Sequence, residues 1–225
     1  MTLKYERRLF EHLQHDRYTP VSIDQIARDL DVDLDEQAEF NQAIQTLAKA
    51  GRIALDGSGK VRLPAMPDEI TGTFRKNQRG FGFVIPRQPF REGDLFVPAD
   101  AVGDALTGDT VRAAVSRGYR PSGSGGGDRE VSGEIIEVVT RKRSVFAGEL
   151  VQRGGMWLVM PDGRELTQPV VVKDPTVKNA KAGDKVTIEI TSYPVGNELA
   201  EGVVVKVLGE AGLPDVETQA TIDLP

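Results

Sequence analysis

Along residues 1–66 the apolar positions recur at helical spacing, and beyond residue 70 they alternate with polar ones over short runs. Leu3, Leu9, Phe10 and Leu13 share one side of a first helix, which Tyr18-Thr19-Pro20 closes. Ser22, with Gln25 three residues on, has the pattern of a capping box for a second helix whose apolar side is Ile23, Ile26, Ala27 and Leu30. A third helix opens at Asp35, points Phe40, Ala43, Ile44, Leu47 and Ala48 inward and stops at Gly51. Residues 52–55 and 60–63 read as two strands around a turn at Asp56-Gly57-Ser58-Gly59. Three short helices followed by a hairpin predict a winged helix.

Residues 64–68 form a proline-flanked linker, and from Ile70 onward the pattern is short strands and turns with no further long helix. The strands come twice. Gly80-Phe81-Gly82-Phe83-Val84-Ile85-Pro86 returns 75 positions later as Gly155-Met156-Trp157-Leu158-Val159-Met160-Pro161. The same offset carries Gly108-Asp109-Thr110-Val111 onto Gly183-Asp184-Lys185-Val186, and Asp94-Leu95-Phe96-Val97-Pro98 has its echo near Val170-Val171-Val172. The last strand, Gly133-Glu134-Ile135-Ile136-Glu137-Val138, returns at an offset of 69 as Gly202-Val203-Val204-Val205-Lys206-Val207, because the loop at 194–197 is tighter than its counterpart. A fixed offset across separate blocks indicates a duplicated domain. Five short strands per copy predict a small closed Greek-key barrel of the OB type, over residues 70–140 and again over 141–209. The fold class expected is thus α+β and multidomain: a winged helix, then two tandem OB barrels. Residues 118–128, rich in Gly and Ser, are expected to be a flexible loop within the first barrel.

Charge alters this picture only when it is divided. The 225 residues carry a net −6, which argues against a basic duplex-DNA binder, yet residues 71–119 hold seven Lys/Arg against five Asp/Glu, a local +2. Residues 1–66 hold nine against eleven, and the stretch from Glu210 has four acidic residues and no basic one. There is no cysteine, hence no disulfide framework or thiolate metal site. No apolar run approaches the roughly 18 residues of a membrane helix, and no secretory leader is visible. A cytoplasmic protein without membrane contact is expected.

The chemistry these residues suggest is binding. Phe81 and Phe83 share one face of their strand, opposite Gly82 and Val84, which would line the interior with Ile85. Outward rings beside cations are what an unpaired nucleic-acid strand stacks on. The candidate RNA-binding set is Phe74, Phe81, Phe83 and Phe96 with Arg75, Lys76, Arg79 and Arg87, and the small Gly80 and Gly82 leave room for a base to approach. In the second copy the rings are mostly lost, and Trp157 falls at the position of Gly82, on the core side. Arg141-Lys142-Arg143, between the copies, is placed to track a phosphate backbone. Catalysis finds no support. His12 and His15 read as solvated, the acidic run from Asp29 to Glu36 lacks the Gly and terminal Glu of a calcium hand, and no phosphate loop or nucleophile elbow is present. No catalytic residue, metal site or cofactor is assigned.

The order of these modules resembles the N-terminal region of the ribonuclease R and RNase II family of 3′→5′ exoribonucleases. The matching words are Leu47-Ala48-Lys49-Ala50-Gly51-Arg52-Ile53 with Leu63-Pro64, Gly72-Thr73-Phe74, the cold-shock-like residues 80–86, residues 94–98 and Gly209-Glu210-Ala211-Gly212. The resemblance implies two cold-shock barrels that grip single-stranded RNA above a nuclease domain using magnesium. It also implies that residues 210–225 begin, or lead to, that nuclease domain, so neither hydrolysis nor magnesium binding is expected of these 225 residues. The partner expected is single-stranded RNA, with room for a protein partner at the winged helix. Two alternatives stay open: a stand-alone RNA chaperone, which would use the same surface, and a DNA regulator working through the winged helix. Asp35, Glu36 and Glu39 at the start of the third helix make the last a poor fit to phosphate.

Overall fold

The computed structural model describes residues 3–15, 17–118, 131–163, 165–173, 175, 179–194 and 198–222. Most of the expected glycine-rich loop, and residues 195–197 of the second copy, lie outside these.

The first unit comprises α1 (Leu3–Leu13), β1 (Val21–Ser22), α2 (Ile23–Asp29), α3 (Gln37–Lys49), β2 (Ala54–Leu55) and β3 (Lys60–Arg62), with a sheet in the order β1-β3-β2. Strand β1 went unread in the sequence because two residues carry no period; it exists through its pairing, Val21 with Val61. The three helices enclose Leu9, Ile26, Phe40 and Ile44, and Tyr5 meets Phe40 edge to face at 5.3 Å. Ser22 Oγ accepts from the Gln25 backbone N–H at 3.3 Å, as the spacing indicates. The reciprocal half of the box is replaced: the Gln25 side-chain oxygen accepts from Arg28 Nη2 at 2.7 Å instead. Helix α3 begins at Gln37, two residues later than expected, and Gly51, at φ +68°, ends it by donating to the Ala48 carbonyl.

The remaining strands build two five-stranded bodies. The first contains β4 (Glu69–Lys76), β5 (Gly82–Pro86), β6 (Leu95–Val97), β7 (Thr110–Arg117) and β8 (Val131–Thr140), in the order β6-β5-β4-β7-β8. The second contains β9 (Val145–Arg153), β10 (Met156–Pro161), β11 (Val170–Val172), β12 (Asp184–Ser192) and β13 (Ala200–Glu210). Its parallel β11–β13 ladder closes a complete barrel. The first body departs from the closed barrel expected: β6 lies against β8 without a hydrogen-bonded ladder.

The duplication holds at the level of individual backbone contacts. Asp109 Oδ2 accepts from Leu106 N at 2.9 Å, and Asp184 Oδ2 accepts from Lys181 N at 2.8 Å. Gly108 N donates to the Phe74 carbonyl, and Gly183 N to that of Leu150, both at 2.8 Å. A Cβ on Gly133 would collide with Leu95 and the Ala114 carbonyl; one on Gly202 would meet Val170 and the Glu189 carbonyl. Leu95, Leu106, Gly108, Asp109 and Ala114 are displaced by 75, Phe74 by 76 and Gly133 by 69.

The two bodies share a polar junction. Asp109, 1% exposed, also accepts from the Lys142 backbone N–H at 3.0 Å and from Arg141 Nη1 at 2.8 Å, while Arg141 reaches Asp104 and stacks 3.6 Å above the Tyr193 ring. Leu106, from the first body's loop, belongs to the second body's core. Removing Asp109 would strand the Leu106 and Lys142 backbone donors, while Arg141 Nη1 keeps the Asp104 carbonyl. Asp109→Ala is therefore expected to cost about 3 kcal/mol in urea unfolding; a loss below about 1 kcal/mol would show that the junction contributes little.

After β13, α4 (Pro214–Ile222) buries Val216 and Ala220 against the second barrel. This nine-residue helix was not expected. Glu217 Oε2 lies 3.0 Å from Lys185 Nζ, which also meets Asp162 at 3.1 Å. Desolvation of Lys185 lowers its pKa, but the hydrogen bonds and charges of Glu217 and Asp162 outweigh it, and the net direction is upward.

Candidate nucleic-acid interface

The candidate surface is set by register. In the antiparallel ladders Arg75 lies opposite Phe83, and Phe83 opposite Phe96, so these three share the outer face. Phe74 pairs with Val84 and Gly82 with Val97 on the other face, toward the core. A tight turn delivers the strand to this position. Asn77 Oδ1 accepts from Arg79 N at 2.9 Å, Gly80 N donates to the Asn77 carbonyl at 3.0 Å, and Gly80 takes φ +92°, which a side chain would resist.

Phe81, Phe83 and Phe96 form one cluster with ring centroids 5.6–6.0 Å apart, each half-buried. The mutual tilts of 50–82° leave differently oriented ring surfaces on one patch. Ile85, 38% exposed, extends the same face. It was expected inside with Val84; strict alternation after Phe81 and Phe83 was the signal that placed it outside. Arg75 is exposed, with Asp94 at 3.9 Å, too long and too wet to hold it firmly. Lys76 and Arg79 are exposed beside the turn; desolvation lowers the pKa of Lys76.

Phe74 must be removed from the binding set. It is 0% exposed, its ring filling the first body's core beneath Gly82, where a Cβ would sit 2.3 Å from that ring. Gly82 is thus small to admit Phe74 from inside rather than a base from outside. Arg87 is exposed but stands at the far end of β5, away from the three rings. The cations Arg141, Lys142 and Arg143 are not placed to track a backbone: Arg141 is held in the junction, and Lys142 and Arg143 both pair with Glu165. His12, expected to be solvated, packs edge-on against Tyr18 with Asp29 at 3.6 Å.

The second barrel repeats the scaffold without the rings. Met156 replaces Phe81 and is exposed, Leu158 replaces Phe83 and is 7% exposed, and Val171 stands where Phe96 would. Trp157 packs against the core, as its spacing indicates. The first barrel packs the Phe74 ring under Gly82, whereas the second has Trp157 at the Gly82 position, opposite Gln152, and packs it against a core that includes Leu150.

Comparison with known proteins agrees with this architecture. A family model described as Ribonuclease B OB domain matches residues 72–129, and one described as Cold shock domain matches residues 158–223. Ribonuclease R of Escherichia coli (strain K12) is 27% identical over 205 residues, covering 90% of this chain and 24% of that protein. Ribonuclease R of Acidithiobacillus ferrooxidans is 25% identical over 207 residues, covering 90% and 45%. The chain thus spans less than half the length of these relatives. Among solved structures, the apo form of Mycoplasma genitalium RNase R superposes with a TM-score of 0.55 at 18% identity, over 68% of this chain and 23% of that one. The same enzyme in complex with ribose-methylated single-stranded RNA gives 0.53 at 20% identity, over 68% and 23%. The pseudonuclease Ssd1 of yeast gives 0.53 at 16%, over 71% and 26%. On these matches the chain carries two OB-type domains and is similar to the N-terminal region of the ribonuclease R and RNase II family.

Proposed function

We propose that this chain is the single-stranded RNA-binding and guiding region of a ribonuclease R-like 3′→5′ exoribonuclease, and that its first unit is a winged helix. The observation that carries the binding reading is the outward cluster of Phe81, Phe83 and Phe96 with Arg75, Lys76 and Arg79 at its margin. Every base has a π-face, so such a platform holds RNA without reading its sequence, and the cations set its affinity through phosphate. The relative solved with single-stranded RNA supports the choice of ligand. The winged-helix reading rests on the helix–strand–helix–helix–hairpin order and the β1-β3-β2 sheet. Glu39 in the first turn of α3 opposes use of that helix on duplex phosphate. Guidance of a 3′ end would serve a nuclease domain outside these residues.

Three or four phosphate contacts imply that log affinity falls with log salt at a slope of about −2 to −3. Affinity for an unstructured RNA is therefore expected to drop roughly 20–50-fold between about 50 and 200 mM salt, measured by fluorescence anisotropy. A change of less than about twofold would remove the phosphate contacts from this reading.

A further inference from the structure

We propose that the groove between the first unit and the first barrel is a second single-stranded RNA subsite, continuous with the ring platform, in which Arg62 and Arg87 hold phosphates from opposite walls. The inference rests on the RNA-binding reading of the platform and extends it to a path.

The groove encloses about 800 Å³ and takes its walls from both units, with His15, Tyr18 and Arg62 on one side and Ile85, Arg87 and residues 89–94 on the other. Its position follows from local structure. Burial alternates along β3, so Val61 enters the core while Arg62 points outward. Arg87 follows the end of β5, its backbone fixed by a bond from its N–H to the Thr71 carbonyl at 3.3 Å.

The charges lining it are unequally engaged. Glu92 is already committed: one oxygen accepts from Met66 N at 2.8 Å and the other from Arg91 at 2.9 Å. Asp94 lines the groove at its platform end, with Arg75 at 3.9 Å. Arg62 and Arg87 are exposed and have no side-chain partner among the described residues. Two uncompensated guanidinium groups over a floor of Ile85, Pro86 and Tyr18 suit phosphates and flat bases together.

Continuity supplies the occupant. Ile85 stands two residues from Phe83 on the outer face of β5 and also lines the groove, and Asp94 lines it while meeting Arg75 beside the rings. A strand leaving the platform along β5 therefore enters the groove without crossing intervening protein. An acidic peptide would also meet the two arginines, but nothing would tie it to the rings.

The test uses the whole chain and 5′-fluorescein oligouridylates of roughly 6 and 16 nucleotides, the range a single OB module and its surroundings accommodate. Wild type, R62E/R87E and F81A/F83A are compared by anisotropy, with R62Q/R87Q as a milder variant should charge reversal disturb folding. Wild type should bind the longer oligonucleotide more tightly. R62E/R87E should leave the hexamer within about twofold and weaken the 16-mer roughly 5–20-fold, with a salt slope shallower by about 1.4 for two lost phosphates. F81A/F83A should weaken both lengths. Equal binding of both lengths by wild type, no effect of the arginine variants, or an equal loss at both lengths would overturn the subsite. If F81A/F83A alone is without effect, the platform falls while the groove stands, so the two failures are distinguishable.

Discussion

Replacing Phe81 and Phe83 together with alanine is expected to weaken binding of single-stranded RNA at least tenfold. A base stacked on an aromatic ring contributes about 1–3 kcal/mol, so even one lost stack at mid-range reaches that factor. The two rings lie outside the core, half-buried against each other and Phe96. Their removal forfeits edge-to-face packing of roughly 0.5–1.5 kcal/mol per pair, while the interior stays filled by Phe74, Val84 and Leu95. Affinity should therefore collapse while the variant still folds and unfolds in a cooperative thermal transition. Unchanged affinity in a folded double variant would remove the platform.

Phe74→Ala should give the opposite profile. The ring is fully buried against the space left by Gly82, and its deletion leaves a cavity that the surrounding strands cannot close without shifting. A loss of about 3–5 kcal/mol is expected, read from urea unfolding of the first barrel, since Phe74 belongs to that core alone. RNA affinity per folded molecule should be preserved. A stable Phe74→Ala protein that binds RNA poorly would mean that this ring, rather than its neighbours, meets the base. The pair of variants thus separates two phenylalanines on one face from a third that the sequence groups with them.

That grouping marks where sequence reading stops. Alternation along residues 80–86 orients Phe81 and Phe83 correctly, because a strand's period of two is visible within seven residues. It says nothing about Phe74, whose facing depends on which residue of β5 it opposes; only the register, Phe74 with Val84, settles it. The duplication was legible because the same turn was kept twice, with Asp109 and Asp184 each accepting from the residue three before it. The fate of Arg141-Lys142-Arg143 was not, since their partners Asp104, Asp109, Glu165 and Tyr193 come from both bodies and lie 22–52 positions away. Strand β1 and helix α4 share this trait. Each is short, and each is held by tertiary contact: Val21 on Val61, and Glu217 on Lys185.

The groove beside the first unit belongs to the same class of hidden feature. Arg62 and Arg87 are ordinary surface cations in the sequence, 25 positions apart and in separate units. They line one cleft only because the hairpin of one unit and the end of β5 in the next are folded together.

The most direct measurement is an NMR titration of unlabelled single-stranded RNA into protein carrying ¹³C-labelled phenylalanine rings. Ring-current shifts should appear at Phe81, Phe83 and Phe96 and saturate with the binding isotherm, while the buried Phe74 resonances stay in place. Saturable binding that leaves those three rings unmoved would contradict the assignment of the surface.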